Sequence, residues 1–153
     1  MNVAIEGIDE ILKLLEELPK RVERKVTKKA LRRAGNVVRD GMRAEVDTIP
    51  YLSASGKKRL KLATKPVFPK GSRGKKEVAV GAVYKGQKNI APDAHWYELG
   101  TDERFTKSGA SRGRIEMSPF MRPGYEKTKE KALVEMAKAF TEEIEAEAVR
   151  LAK

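Results

Sequence analysis

The sequence predicts an α+β domain: N-terminal helices, a small, mostly antiparallel sheet of about three to four strands, and a long C-terminal amphipathic helix. Three observations lead there. Near both ends of the chain, apolar residues recur at spacings of three and four, the signature of a helical face. In the middle, short segments alternate apolar with polar residues, the period of a half-buried strand. Clusters of proline and glycine separate these segments.

Ile8, Ile11, Leu12, Leu15 and Leu18 form one face of a first helix, which Pro19 ends or bends. A second helix runs from Lys20 to about Val46. Val22, Val26, Ala30, Ala34, Val37, Val38, Gly41 and Ala44 lie near one side of it, and Arg21, Arg24, Lys25, Lys28, Lys29, Arg32 and Arg39 near the other. The apolar residues are small, so the stripe permits close backbone approach but buries little area per residue. Ile49-Pro50-Tyr51 breaks the helix.

Leu60, Leu62 and Thr64 then alternate with Arg59, Lys61 and Lys65, which reads as a strand. Pro66 and Pro69 cannot donate to a ladder and place it at a sheet edge. Residues 70–76 read as a basic turn and 85–93 as a loop. Between them, Glu77 to Tyr84 is the clearest strand, β-branched at alternate positions.

Ala94 to Leu99 reads as a third strand ending at Gly100-Thr101, with Tyr97 and Leu99 on one face and Trp96 on the other. Asp102 to Met117 is a long flexible loop. Beyond it, Pro119 and Pro123 bracket Phe120 and fix φ where a helix can begin. The last helix spans about Pro123 to Ala152. Its stripe is Leu133, Ala137, Phe140, Ile144, Ala148 and Leu151, widened by Val134 and Met136. Its other face, including Glu142, Glu143 and Glu145, reads as solvated surface.

At 153 residues, the length suits a single domain (residues 1–153) with one modest core. The net charge of +11 is unevenly distributed: Lys20 to Lys76 holds nineteen Lys and Arg against four Asp and Glu. A basic half joined to a mildly acidic one implies a polyanion, complementary packing on a partner, or simply a solvated charged surface. The absence of cysteine excludes a disulfide framework, a thiolate zinc site and a cysteine nucleophile. No run approaches the ~20 apolar residues of a membrane span. The N-terminal residues lack the pattern of a signal peptide, so the expectation is a soluble, intracellular protein.

Catalytic motifs are missing. Gly56-Lys57 is no P-loop, because Tyr51 stands where that motif needs glycine and Lys58 where it needs Ser or Thr. His95 is the sole histidine, and strand alternation places it with Asp93 and away from Glu98, which argues for a satisfied strand residue rather than a metal ligand. No second group completes an acid–base pair with Glu98. That carboxylate is expected to accept from turn amides or to pair with Arg122. The chain is therefore expected not to be an enzyme and to carry no cofactor or metal.

The element Trp96-Tyr97-Glu98-Leu99-Gly100-Thr101, followed by Pro119-Phe120-Met121-Arg122-Pro123, resembles the head–tail joining proteins of long-tailed bacteriophages, also described as neck, minor tail or tail-completion proteins. Their pattern is aromatic-Glu-aromatic-Gly-Thr, a short loop, then Pro-Phe-aliphatic-Arg-Pro-Ala and a long helix. The match falls on Tyr97, Glu98, Gly100, Thr101, Pro119, Phe120, Arg122 and Pro123. The chain departs at Leu99, where an aromatic is commoner, at Gly124, where Ala is usual, and in its longer loop. Ser55-Gly56 with Leu60 loosely matches a glycine step that precedes the family's first strand.

The resemblance implies a structural virion protein that assembles as a homo-oligomeric ring at the neck, between head-closure and tail-terminator or tail-tube proteins, with DNA passing through the lumen. It would be made in the bacterial host cytoplasm and would end in the virion neck or tail. Within that picture, Arg104, Phe105, Arg112 and Arg114 are the candidates for loop docking. Arg24, Lys28, Arg32, Lys57, Lys58 and Arg59 are the candidates to face either DNA or acidic neighbours. A different class, a small basic nucleic-acid-binding protein, also fits the charge. Against it stands the scarcity of aromatics among the basic residues.

Overall fold

A computed structural model describes residues 8–69, 77–83 and 91–151. The order of elements is α1 (Ile8–Glu17), α2 (Lys20–Val46), α3 (Ala54–Ala63), β1 (Thr64–Val67), β2 (Ala79–Ala82), α4 (Ala94–Leu99) and α5 (Met121–Leu151). The fold is helix-rich, with a two-stranded antiparallel sheet and a long C-terminal helix. The basic turn at 70–76, Tyr84, the loop residues 85–90 and Ala152 lie outside the described residues. Among the described residues, no helix is long and apolar enough to cross a membrane.

The chain divides into two compact units. The first comprises Met1–Val38, Pro66–Ala79 and Thr128–Lys153, and the second Arg39–Lys65 and Val80–Lys127.

The first unit follows from helical periodicity. Leu15 of α1, Val22, Val26 and Ala30 of α2, and Ala139 and Phe140 of α5 form a buried cluster, with Ile11, Leu18, Met136 and Ile144 packed against it. The α2 stripe is where the spacing predicts it, although Ala44 is exposed. The α5 stripe is rotated from the expected one: Ala132, Met136, Ala139, Phe140 and Ile144 face inward, whereas Val134 is 58% exposed and Ala148 is also exposed.

The rotated face is accompanied by a set of ion pairs between α5 and α2. Four acidic residues of α5, Glu135, Glu142, Glu143 and Glu147, pair with a row on α2, whereas Glu145 is exposed as expected. Lys25 pairs with Glu147, Lys29 with Glu143 at 2.5 Å, and Arg33 with Glu142 and, at 3.1 Å, with Glu135. Glu147 is nearly buried and also receives Arg150 at 2.8 Å. Three of the nineteen cations between Lys20 and Lys76 are thus matched inside one unit.

These pairs set an acid dependence. The hydrogen bond from Lys25, and next to it that from Arg150, holds the Glu147 carboxyl below the usual range against the opposing effect of burial. Arg33 does the same for Glu142. A carboxylate with a depressed folded pKa stabilises the fold above its unfolded value of about 4.3, and that contribution disappears as pH falls through the folded value. Thermal midpoints followed by circular dichroism should hold from neutrality to about pH 5 and fall below about pH 4. Glu147→Gln should flatten part of that fall, and a wild-type acid slope in this variant would remove the Glu147 pairs as a cause.

In the second unit, two expected strands are helices. Leu60–Leu62 belongs to α3, not to the first strand. Ser53 caps α3 by accepting from the Gly56 amide at 3.2 Å, and the buried residues Leu60 and Ala63 are three apart, while Leu62 is 46% exposed. The strand begins only at Thr64. Pro66 then sits in β1 of a two-stranded sheet, where every strand is an edge. Ala94–Leu99 is likewise the short helix α4 rather than a third strand. It starts just after Pro92-Asp93 and stops at Gly100, whose amide donates to Trp96 O at 2.9 Å with φ at +74°. Among the described residues the sheet therefore has two strands.

Close helix packing in this unit rests on Gly124. A Cβ at that position would come within 2.4 Å of Met42 Cα and 2.5 Å of Met42 N, so α5 and the end of α2 approach backbone to backbone.

Candidate functional site

The N-terminus of α5 presents backbone amides that no helical carbonyl can satisfy. Glu98, projecting from α4, accepts all of those present. Its Oε2 receives the amides of Phe120 at 2.8 Å and Met121 at 2.9 Å, and its Oε1 that of Arg122 at 3.1 Å. The next residue, Pro123, has no amide, and Gly124 N makes the first helical bond, to Phe120 O at 3.2 Å. A carboxylate from 22 to 24 residues upstream therefore caps the helix completely, with a charge suited to its positive end.

The two halves of the Glu-Gly-Thr and Pro-Phe-Met-Arg-Pro pattern meet in this cap. Of the two expected modes for Glu98, the amide mode is the one observed, and Arg122 takes part through its backbone while its side chain is exposed. Phe120, between Pro119 and Pro123, is fully buried.

Gly100 and Thr101 fix the start of the following segment. Gly100 lies in the left-handed region, and a Cβ there would press on Met117 N at 3.2 Å and Ile115 O at 3.3 Å. Thr101 N donates to Ile115 O at 3.0 Å, and Thr101 Oγ1 accepts from Ile115 N at 2.9 Å. Ser118 N donates to Tyr97 O at 2.8 Å.

The segment between these anchors, expected to be a flexible loop, is a paired arm. Arg104 N donates to Gly113 O at 3.1 Å, Arg112 N to Arg104 O at 2.6 Å, and Thr106 N to Ala110 O at 2.9 Å, with an antiparallel bridge between Phe105 and Ser111. Glu103 accepts from Ser111 Oγ at 2.7 Å.

Large apolar side chains on and beside the arm are left uncovered: Leu99 is 73% exposed, Phe105 61% and Met117 65%. An open cleft of about 600 Å³ runs along its base, lined by residues 99–102 and 114–117. Arg112 and Arg114 are exposed, and Arg114 reaches Glu116 at only 3.6 Å, a surface pair of little energetic weight. Arg104 lies over the Trp96 ring at 5.6 Å, and Trp96 is 38% exposed.

Three further supports for the arm come from residues remote from it in the chain. Tyr51, which the sequence shows only as part of a helix break, donates to Glu116 O and lies 2.9 Å from Ser118 Oγ. Its ring stands 6.4 Å from that of Tyr97. Asp93 pairs with Arg59 and accepts from Tyr97 Oη at 3.3 Å. Burial first, and the neighbouring Asp93 second, push the Tyr97 phenol above its ordinary value. These partners are separated by up to 67 residues, too far for any local pattern to reveal.

His95 is exposed on α4 and meets the Trp96 ring edge-on at 5.5 Å. The helix places it three residues before Glu98 on the same side, which corrects the strand-based separation of the two. Among the described residues, no group of three or more His, Asp and Glu is placed to hold a metal ion.

The proposed DNA-facing residues separate. Arg59 is held by Asp93, and Lys57 donates to Asp47 O at 2.8 Å, whereas Lys58 is exposed. Arg24, Lys28 and Arg32 are exposed on α2.

No protein-family model, curated protein or solved structure matches this chain.

Proposed function

We propose that this protein is a structural, non-catalytic component of a bacteriophage head–tail junction, a neck or tail-completion protein that assembles as a ring around the DNA path. The observation that carries this reading is the Glu98 cap. It ties together the two motif halves that resemble the joining family, and so braces the arm between them at both ends. An arm whose backbone is internally paired, but which leaves Leu99, Phe105 and Met117 uncovered, has the character of a surface awaiting a partner. On this reading the partners are other copies of the chain and the adjoining head-closure and tail-terminator or tail-tube proteins, and the site of action is the virion neck.

Electron microscopy of particles from a phage or induced prophage lacking the gene tests the proposal. Filled heads beside unjoined or malformed tails are expected, and intact virions at normal yield would overturn it. Complementation with Arg112→Gln/Arg114→Gln tests the arm. Joining should fall at least roughly tenfold, the equivalent of about 1.4 kcal/mol of docking energy. Full joining by that variant would remove these arginines from the docking surface.

A nucleic-acid-binding role remains the second reading, favoured by the exposed cations of α2.

A further inference from the structure

The cations of α2 fall into two rows with different fates. Lys25, Lys29 and Arg33 step by four and are matched by carboxylates of α5. Arg21, Arg24, Lys28 and Arg32 step by three and four along an adjacent strip of the helix, and all four are exposed. At 1.5 Å per residue the second row is about 16 Å long. Lys28 and Arg32 lie over the ring of Phe68, each 5.4 Å from its centroid. Phe68 follows β1 and stands between Pro66 and Pro69. The ring lies under the charged ends of both side chains, which remain exposed on their outer side.

From this arrangement we infer that the row Arg21, Arg24, Lys28 and Arg32 is a contact surface for the phosphate backbone of duplex DNA. Charge complementarity calls for an anion, and the composition of the row selects its kind. A protein partner would need an apolar centre to its interface. Among the described residues of this unit, the large exposed apolar side chains are Val134 and Val149, on α5 and not in the row. A single strand would need aromatic faces for its bases, and Phe68 already carries Lys28 and Arg32. Evenly spaced cations suit repeated phosphates, which can be bound without regard to sequence.

The inference shares with the proposed function the premise of a DNA partner. Its test is made in solution on the purified chain, so either can fail without the other. Binding of a fluorescently labelled 30-base-pair duplex is measured by anisotropy across a salt series. Four phosphate contacts predict a log–log slope of about −3.6. Arg24→Gln/Lys28→Gln/Arg32→Gln keeps the polar stems but removes three charges. It should bring the slope to about −1 and weaken binding by on the order of a hundredfold near 0.1 M salt. A control with the same loss of charge, Lys13→Gln/Lys107→Gln/Lys131→Gln, should keep nearly the wild-type slope.

Equal losses in both variants would show that only net charge matters and would overturn the assignment. So would the absence of measurable binding at 50 mM salt. Competition by poly-glutamate that depends on the row, with DNA binding indifferent to it, would give the surface to an acidic protein instead.

Discussion

Replacing Gly124 with valine should lower the thermal unfolding midpoint by roughly 6–12 °C, the effect of about 3 kcal/mol on a chain of this size. Any β-carbon at this position meets main chain: Met42 Cα at 2.4 Å, Met42 N at 2.5 Å and Gly41 C at 2.8 Å. Backbone inside a long helix cannot move aside as a flexible side chain can, so α5 itself must shift, and the packing around Phe120 with it. Gly124→Ala separates this effect from local preference. Alanine is favoured over glycine in a helix interior by about 1 kcal/mol, so propensity alone predicts a more stable protein. Steric exclusion predicts a less stable one, with valine worse than alanine. Melting curves of the two variants decide, and an alanine variant as stable as wild type would eliminate the close approach.

How much of the structure could be read in advance depended on the range of the interactions. α1, α2 and α5 were visible because ten to thirty-one residues of helical period leave little ambiguity. α4 has six residues, and over so short a span Tyr97 and Leu99 satisfy strand alternation by accident. The better signal lay at its ends, with Pro92-Asp93 before it and a left-handed Gly100 after it. Leu60 and Leu62 misled in the same way, while Ser53, the cap of α3, and the Leu60–Ala63 spacing pointed correctly to a helix.

The arm's composition, rich in glycine, serine and arginine, suggests flexibility. Its order comes from backbone pairs such as Arg104–Gly113 and from Tyr51, and composition does not encode these. The sequence shows the charge pattern only as a total. Its division between an internal row matched by α5 and an external row on Phe68 depends on which helices meet, and only the tertiary packing determines that.

Removing the Glu98 carboxylate should be the most damaging change at the candidate site. Glu98→Ala leaves the amides of Phe120, Met121 and Arg122 without their common acceptor. A neutral cap alone is worth about 1 kcal/mol, and hydrogen bonds to a charged group contribute roughly 1.5–3 kcal/mol. Water can reach the Arg122 amide more easily than the half-buried pair, so the total should come to about 2–4 kcal/mol rather than the sum of three bonds. Urea unfolding would measure it. Glu98→Gln retains one acceptor oxygen but loses the charge at the positive helix end, and should fall between alanine and wild type.

Stability alone does not distinguish a cap from a general packing contact, because any part-buried side chain lost from α4 costs something. Amide hydrogen exchange does. A cap predicts faster exchange at Phe120, Met121 and Arg122 in both variants, with Ala139 and Phe140, deep in α5, little changed. It also predicts that the arm loosens at the Thr101–Ile115 pair, since the cap fixes the end of the chain to which that pair is attached. If the three amides stay protected in Glu98→Ala, another acceptor holds them. The cap would then lose its role in joining the two motif halves, and the proposed function would lose its main structural support.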